Sequence, residues 1–333
     1  MASKTSPGRR FTLLPRAVAA VALVITATAW LSRRSGWVLP LELLSHFQVQ
    51  YLIVTALLLG FCWLARSQIS VLICLLCCVS LATQIVPWYL PPQRLLPQPE
   101  ANLRVLMANL NAQNHQYERV LTFLRQQQPD IAAFAEVDAA WAAQLDTIKD
   151  VLPFSYGLPN PYNLGLLVYS REPLQDAQIK YFGVDKNVSV VAQFAVAERP
   201  LTLIATHPLP PVGSTYFHRR NRQLDLIGQY IQTLSTPVVM VGDLNLSMWS
   251  PYYRRLINQT GLKNARQGFG VLPTWPSKRT FNRLPPIPLP LLSIPLDHCL
   301  ISPLLQAVNI HTGIDTGSDH RPLVADIYVP AKS

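Results

Sequence analysis

The sequence predicts an α/β sandwich preceded by about three transmembrane helices, on three observations. Residues 17–90 are dominated by apolar stretches, with Glu42 as the only carboxylate. From residue 91 onward, short apolar strand-like runs alternate with segments whose apolar residues recur at helical spacing. Several of those runs end on a polar residue able to do chemistry. The expected division is a membrane region over residues 1–90, a proline-rich linker over 91–101 and a globular domain over 102–330.

Three stretches are candidates to span a bilayer: about Ala17–Leu31, Phe47–Ala65 and Ile69–Leu90. A spanning helix needs roughly 20 mainly apolar residues. The second and third meet that, and the first is shorter. A cleaved signal peptide competes for the first, with Arg9 and Arg10 as its basic region. Against it, Trp30, Arg33 and Arg34 follow where small residues would mark cleavage, and the twin-arginine match at Arg9-Arg10-Phe11 is loose. Basic residues set orientation. Lys4, Arg9, Arg10, Arg16 and Arg66 fall on one side of a three-span arrangement, and Arg33 and Arg34 on the other. The larger group marks the cytoplasm, which puts the C-terminal domain on the periplasmic or extracellular face.

The net charge of +10 suggests nucleic acid until it is divided. Residues 1–90 hold seven of the 28 Lys and Arg and one of the 18 acidic groups, leaving +4 for the remainder. Most of the excess therefore belongs to membrane topology, and a mildly basic domain suits DNA or a phospholipid headgroup equally. Cys62, Cys74, Cys77 and Cys78 lie in the predicted spans, where they read as small apolar residues. Only Cys299 lies beyond them, so no disulfide framework exists there.

Pro87, Pro91, Pro92, Pro97 and Pro99 predict a stiff, extended linker. Leu103–Ala108 then reads as a strand ending at Asn109. Tyr117, Val120, Leu121 and Leu124 are at helical spacing, Pro129-Asp130 breaks that helix, and Ile131–Ala135 is a strand ending at Glu136. Further strands are expected at Leu164–Ser170, Val188–Val196 and Leu201–Thr206, the last ending at His207. A helix over Tyr216–Leu234 follows, stopped by Pro237, and the strand Val238–Val241 leads to Asp243. Residues 273–295 read as a long proline-rich loop, and Leu323–Val329 as the last strand.

The polar strand ends are the candidates for chemistry. Glu136 is either a surface carboxylate or a ligand of a hard cation, which takes one or two carboxylates and keeps several waters. Asn109 and Asp319 are candidates for the same shell. Asp243 and Asn245, two apart, share one side of an extended chain. They read as an Asx turn, or as a carboxylate that orients water beside a carboxamide that binds phosphate. Asp297-His298, Asp319-His320 and Thr206-His207-Pro208 add carboxylates and imidazoles, the commonest acid–base groups near neutral pH. His115, His218 and His311 lack such a context.

Gly242-Asp243-Leu244-Asn245 and Ser318-Asp319-His320-Arg321-Pro322, with Asn109, Glu136, His207 and Leu296-Asp297-His298, occur in an order that resembles the endonuclease/exonuclease/phosphatase superfamily. That superfamily includes pancreatic deoxyribonuclease, apurinic endonucleases, neutral sphingomyelinases and inositol polyphosphate 5-phosphatases. The resemblance covers about residues 102–330 and, with the apolar N-terminus, looks like a bacterial membrane-anchored branch. It implies a four-layer α/β sandwich of the deoxyribonuclease I type and a hydrolase acting on ester bonds. It implies Mg2+ (or Mn2+) held mainly by Glu136, assisted by Asn109 and Asp319. Asp243 and Asn245 would position the water and phosphate. His320, held by Asp319, would stabilise charge at phosphorus, and Asp297 and His207 would assist. The base among Asp243, Asp297 and His320 stays open. Before Asn109 stands Ala108, where the superfamily often has an aromatic residue, and Tyr156, Tyr162 and Asn163 receive no role.

The expected partners are a phosphate-ester substrate and the lipid bilayer, with no protein partner inferred. A nuclease would draw on Arg219, Arg220, Arg222, Arg254, Arg255, Lys278 and Arg279, which equally read as solvated charges. A lipid-headgroup phosphodiesterase or phosphatase is favoured by the tether and by the apolar loop 284–295. A non-catalytic binding protein on the same fold is the further alternative.

Overall fold

A computed structural model describes residues 8–183, 186–277 and 291–332. The chain divides into two units, Met1–Pro87 with Trp249–Pro251, and Trp88–Met248 with Tyr252–Ser333.

In the first unit, α1 (Gly8–Ser35), α2 (Leu39–Ser45), α3 (Gln48–Leu64) and α4 (Gln68–Ile85) follow one another. Ala19 and Ala22 of α1 are buried among Cys62, Cys74 and Cys77, so the cysteines act as small packing residues. Leu57, Leu64, Leu72 and Leu76 point outward and are exposed. A helix bundle apolar inside and out matches a lipid environment. Leu13–Ser35 and Gln68–Tyr89 are long and apolar enough to cross a membrane. The expected middle span, Phe47–Ala65, coincides with α3; α2 and α3 meet at 67° and make a third candidate span only if counted as one.

The second unit holds two six-stranded mixed sheets. Its strands are β1 (Leu103–Asn109), β2 (Ile131–Ala135), β3 (Phe154–Leu158), β4 (Leu166–Ser170), β5 (Gln175–Lys180), β6 (Ser189–Val196), β7 (Arg199–Thr206), β8 (Val238–Asp243), β9 (Lys263–Asn264), β10 (Asp297–Ile301), β11 (Gln306–Thr312) and β12 (Leu323–Tyr328). The orders are β11-β12-β1-β2-β4-β3 and β5-β6-β7-β8-β10-β9. Side-chain alternation separates the layers. Leu103, Val105, Met107, Ile131, Ala133 and Ala135 join the core shared with Leu203, Ala205, Val239 and Val241 of the other sheet. The intervening Leu106, Ala108, Ala132 and Phe134 instead pack under helices α5 (Tyr117–Gln127) and α6 (Ala139–Leu145).

Both sheets contain the same device. Strand β1 runs parallel to β2 across α5, and β7 runs parallel to β8 across α7 (Ser214–Gln232). The carboxyl ends of these four strands deliver Asn109, Glu136, His207 and Asp243.

The proline-rich stretch after the first unit differs from a free spacer. The carbonyl of Trp88 accepts from the amides of Gly268 and Gly270, each at 2.9 Å, and Gln93 N–H donates to the Gly268 carbonyl at 3.4 Å. The Gly268–Gly270 turn therefore ties down both Trp88 and Gln93. The expected loop over residues 284–295 lies outside the described residues up to position 290, as do Lys278 and Arg279.

Candidate active site

Asp243 ends β8, and the preceding Gly242 allows its approach. A Cβ at Gly242 would collide with the carbonyl oxygen of Thr206 on β7, so only glycine lets the two parallel strands finish side by side. Asp243 is 1% exposed, and its Oδ1 accepts from the backbone amide of Asn245 at 2.9 Å. Its Oδ2 accepts from Asn109 Nδ2 at 3.0 Å and lies 3.6 Å from His207 Nε2 and 3.5 Å from His320 Nε2.

Asn109 carries the contact to the other sheet's edge. Its Nδ2 also donates to Glu136 Oε1 at 2.9 Å, while its Oδ1 accepts from the Asn111 amide at 3.0 Å. Glu136 and Asn245 both sit in the left-handed region, with φ of 58° and 52°. Asparagine tolerates that conformation; glutamate pays a steric cost there, a cost that clusters at functional positions.

The structure corrects the partner expected for His320. Nδ1 of His320 lies 2.8 Å from Oδ2 of Asp297, at the start of β10, and not against its chain neighbour Asp319. Residues 317–320 form a bend before β12, and Asp319 is drawn to other partners. Its Oδ1 accepts from Asn111 Nδ2 at 2.8 Å and its Oδ2 from the Trp275 indole at 3.1 Å. Ser318 Oγ fixes the turn, donating to the Asn109 carbonyl at 2.7 Å and accepting from the His320 amide at 3.0 Å.

Electrostatics follow from burial. Burial alone would lower the His320 imidazole, but Asp297 and then Asp243 outweigh it and push its pKa up to about 10. Burial would raise Asp243, yet His320, His207 and the amides of Asn245 and Asn109 hold its carboxyl below the ordinary value. Burial raises Asp297, with His320 opposing and Asp243 reinforcing. His320 thus lies between two buried carboxylates, both of which favour its protonated form.

Two groupings could take a cation. Asp243, Asp297 and His320 offer ligand atoms within 4.8 Å of one another. Both ring nitrogens of His320 already face carboxylates, so this trio is better occupied by its own proton than by a metal. Glu136 with the Asn109 carboxamide is the pair whose chemistry suits a hard cation, a half-buried carboxylate at a strand end beside an oxygen donor. His207 Nδ1 is buried without a hydrogen-bond partner among the described residues, a cost of ~1–3 kcal/mol.

The structure thus joins Asn109, Glu136, His207, Asp243, Asn245, Asp297 and His320, and reaches Asp319 through Asn111. Asn111 and Trp275 escaped the sequence reading, and Ser318 was read only as part of its motif, without a role. Asn111, two residues past Asn109, repeats the Asp243–Asn245 spacing and could have been found by it; Trp275 has no such signal. Of the basic residues considered for a nuclease, Arg220 is buried, donating to the Asn245 carbonyl at 2.7 Å. Arg222 and Arg255 pair with Asp225.

Residues 105–320 match the model of the Endonuclease/Exonuclease/phosphatase family. No curated protein matches the chain. Among solved structures, D. rerio TDP2 complexed with single strand DNA product aligns at 16% identity over 68% of this chain and 99% of that one, with a TM-score of 0.58. The human Nocturnin catalytic domain with bound sulfate aligns at 18% over 72% and 100%, with a TM-score of 0.55. An endonuclease/exonuclease/phosphatase protein from Bacteroides vulgatus aligns at 18% over 68% and 99%, also at 0.55. At these identities the likeness is one of fold.

Proposed function

The chain belongs to the Endonuclease/Exonuclease/phosphatase family, and from that premise we propose that it is a membrane-anchored, divalent-metal-dependent phosphoesterase that hydrolyses a phosphodiester or phosphomonoester by in-line attack of water. The observation that carries this reading is Asp243, a buried carboxylate encircled by Asn109, Asn245, His207 and His320. Such an arrangement holds negative charge at one fixed point beside fixed positive charge, which phosphoryl chemistry requires.

Glu136 and Asn109 would hold Mg2+ or Mn2+, with Asp319 as the neighbouring carboxylate. The ion, when bound, supplies positive charge against the phosphate oxygens. Asp243 stays ionised and takes the proton of the attacking water, oriented with Asn245. His320 would stabilise charge at a phosphate oxygen through Nε2, which lies 3.5 Å from Asp243 and would be shared with the substrate. Asp297 holds its ring. His207 offers a second imidazole to the phosphate.

Nucleic acid is the first substrate class to test, since the D. rerio TDP2 neighbour was captured with a DNA product. A phospholipid headgroup is the second, because two helices of this chain are apolar enough to cross a bilayer. The test offers DNA, RNA, sphingomyelin, phosphoinositides and sugar phosphates to the full chain in detergent with Mg2+. Turnover lost on chelation and in Glu136→Ala and His320→Ala supports the reading; turnover surviving complete chelation sinks it. Binding without turnover favours a non-catalytic protein. A reporter fused after Ser333 tests the external placement of the domain.

A further inference from the structure

We propose that Trp275 is a positioning residue for the metal site, and that the segment Thr274–Ser277 is a strap holding the Asp297 and Asp319 stretches in one register. The inference rests on the divalent-metal-dependent reading and gives a role to residues that reading leaves without one.

The strap is bonded to both carboxylate stretches. On one side, the Thr274 hydroxyl oxygen accepts from the amides of Leu296 and Asp297, at 3.1 and 3.2 Å. The amides of Thr274 and Trp275 each donate to the Ile294 carbonyl at 3.0 Å. On the other side, the Ser277 amide donates to the Asp319 carbonyl at 2.8 Å, and the Arg321 amide donates to the Thr274 carbonyl at 2.9 Å. The Ser277 hydroxyl donates to the Ser318 carbonyl at 2.6 Å. Thr274 and Ser277 are both buried. Pulling either stretch away would leave buried donors and acceptors unpaired, which is costly, so both stay with the strap.

The indole of the strap reaches a side chain. Trp275 Nε1 donates to Asp319 Oδ2 at 3.1 Å, while Asn111 Nδ2 donates to Asp319 Oδ1 at 2.8 Å. Each carboxylate oxygen takes an N–H from a different part of the chain, which fixes the plane of the carboxylate. The path continues. The Asn111 amide donates to Asn109 Oδ1 at 3.0 Å, and Asn109 Nδ2 donates to Glu136 Oε1 at 2.9 Å. Trp275 is thus joined, through Asp319, Asn111 and Asn109, to the carboxylate assigned as main ligand. Groups that orient a metal ligand tune the affinity of a site without touching the ion. Within the strap the tasks differ: Thr274 sets the backbone of Asp297, which holds His320, and Trp275 sets the side chain of Asp319.

The test uses the full chain in detergent with Mn2+ as the probe. Bound Mn2+ is measured by electron paramagnetic resonance without substrate, and kcat separately at saturating Mn2+. Trp275→Phe keeps a ring and removes the N–H, and is expected to weaken Mn2+ binding roughly tenfold. Trp275→His is expected to restore most of it, because imidazole Nε2 occupies the place of indole Nε1 on the five-membered ring. In an Asp319→Ala background, Trp275→Phe is expected to weaken binding no further, as for two residues acting through one contact. Thr274→Val is expected to lower kcat and leave Mn2+ binding unchanged. Native Mn2+ affinity in Trp275→Phe, the same loss in the Asp319→Ala background, or a Trp275→His chain as weak as Trp275→Phe overturns the proposal. So does a Trp275→Phe chain that fails to fold, which assigns the indole to the fold alone, and full kcat in Thr274→Val removes the strap. Failure of the premise looks different: a native chain that binds no Mn2+, or binding unchanged in Glu136→Ala, defeats the metal-dependent reading itself.

Discussion

His320 Nδ1 and Asp297 Oδ2 lie 2.8 Å apart, although the two residues belong to different sheets' chain segments and His320 has an aspartate as its immediate neighbour. Asp297 and Asp319 therefore have separable roles. Asp297→Asn removes the charge that keeps His320 protonated and is expected to lower kcat by ~100-fold or more, in the range of lost charge stabilisation. Asp319→Asn keeps one acceptor for Asn111 or Trp275, and its main effect is expected on the Mg2+ concentration needed for half-maximal rate. Equal kcat losses with unchanged metal dependence in both variants would refute this division.

Glu136 sits at φ 58°, where a side chain is strained and glycine is not. Glu136→Gly and Glu136→Ala are both expected to be inactive. The glycine variant is expected to be more stable than the alanine variant by about 1 kcal/mol, since only alanine retains the Cβ clash. Denaturant titration of both variants measures the difference, and an alanine variant of equal or greater stability contradicts it.

Arg220 is buried and donates to the Asn245 carbonyl and to Asn221 Oδ1. It holds the loop after β8 and does not meet substrate as a surface charge. Arg220→Ala is expected to cost ~1–3 kcal/mol of stability or more, because the buried Asn245 carbonyl and Asn221 Oδ1 lose their donor. Arg219→Ala, at an exposed position on the same helix, is expected to be neutral in stability. Melting curves of the two variants decide, and a neutral Arg220→Ala would place the guanidinium outside the loop's support.

Burial pushes the Cys299 thiol up to about 12. Because the thiolate is the nucleophile, Cys299 is expected to resist iodoacetamide at pH 8 in the native protein and to label in urea. The sign for stability follows from a pKa raised on folding. The contribution is complete below the unfolded thiol value near ~8.5 and is lost as pH rises toward 12. Cys299→Ala is expected to flatten that part of the stability–pH curve, and labelling of native Cys299 at pH 8 contradicts the burial.

The strands most legible in the sequence are those buried on both faces, such as Ile131–Ala135 and Val238–Val241, because continuous apolar runs need two covering layers. Strands β3, with its half-exposed Phe-Ser-Tyr-Gly-Leu, and β5, with Gln-Asp-Ala-Gln-Ile-Lys, carry no such signal, since edge positions tolerate polar residues on both faces. Strand-end polar residues were readable one by one. Their pairing was not: whether Asp297 or Asp319 meets His320 depends on how β10 and the approach to β12 are aimed from separate sheets. Trp275 reaches Asp319 from a loop without periodicity, which no local pattern announces.

Strands β5 to β10 are contiguous in sequence and make one whole sheet, whereas the other begins with β1 to β4 and is finished by β11 and β12. Strand β1, which ends on Asn109, has β12 as a neighbour, with Leu103 opposite Ile327. During synthesis, the sheet that starts first is therefore the one that closes last. Until β11 and β12 have joined, β1 has one side unpaired and His320 is not in place. A truncation that removes β12 is therefore expected to leave an open sheet edge exposed to aggregation.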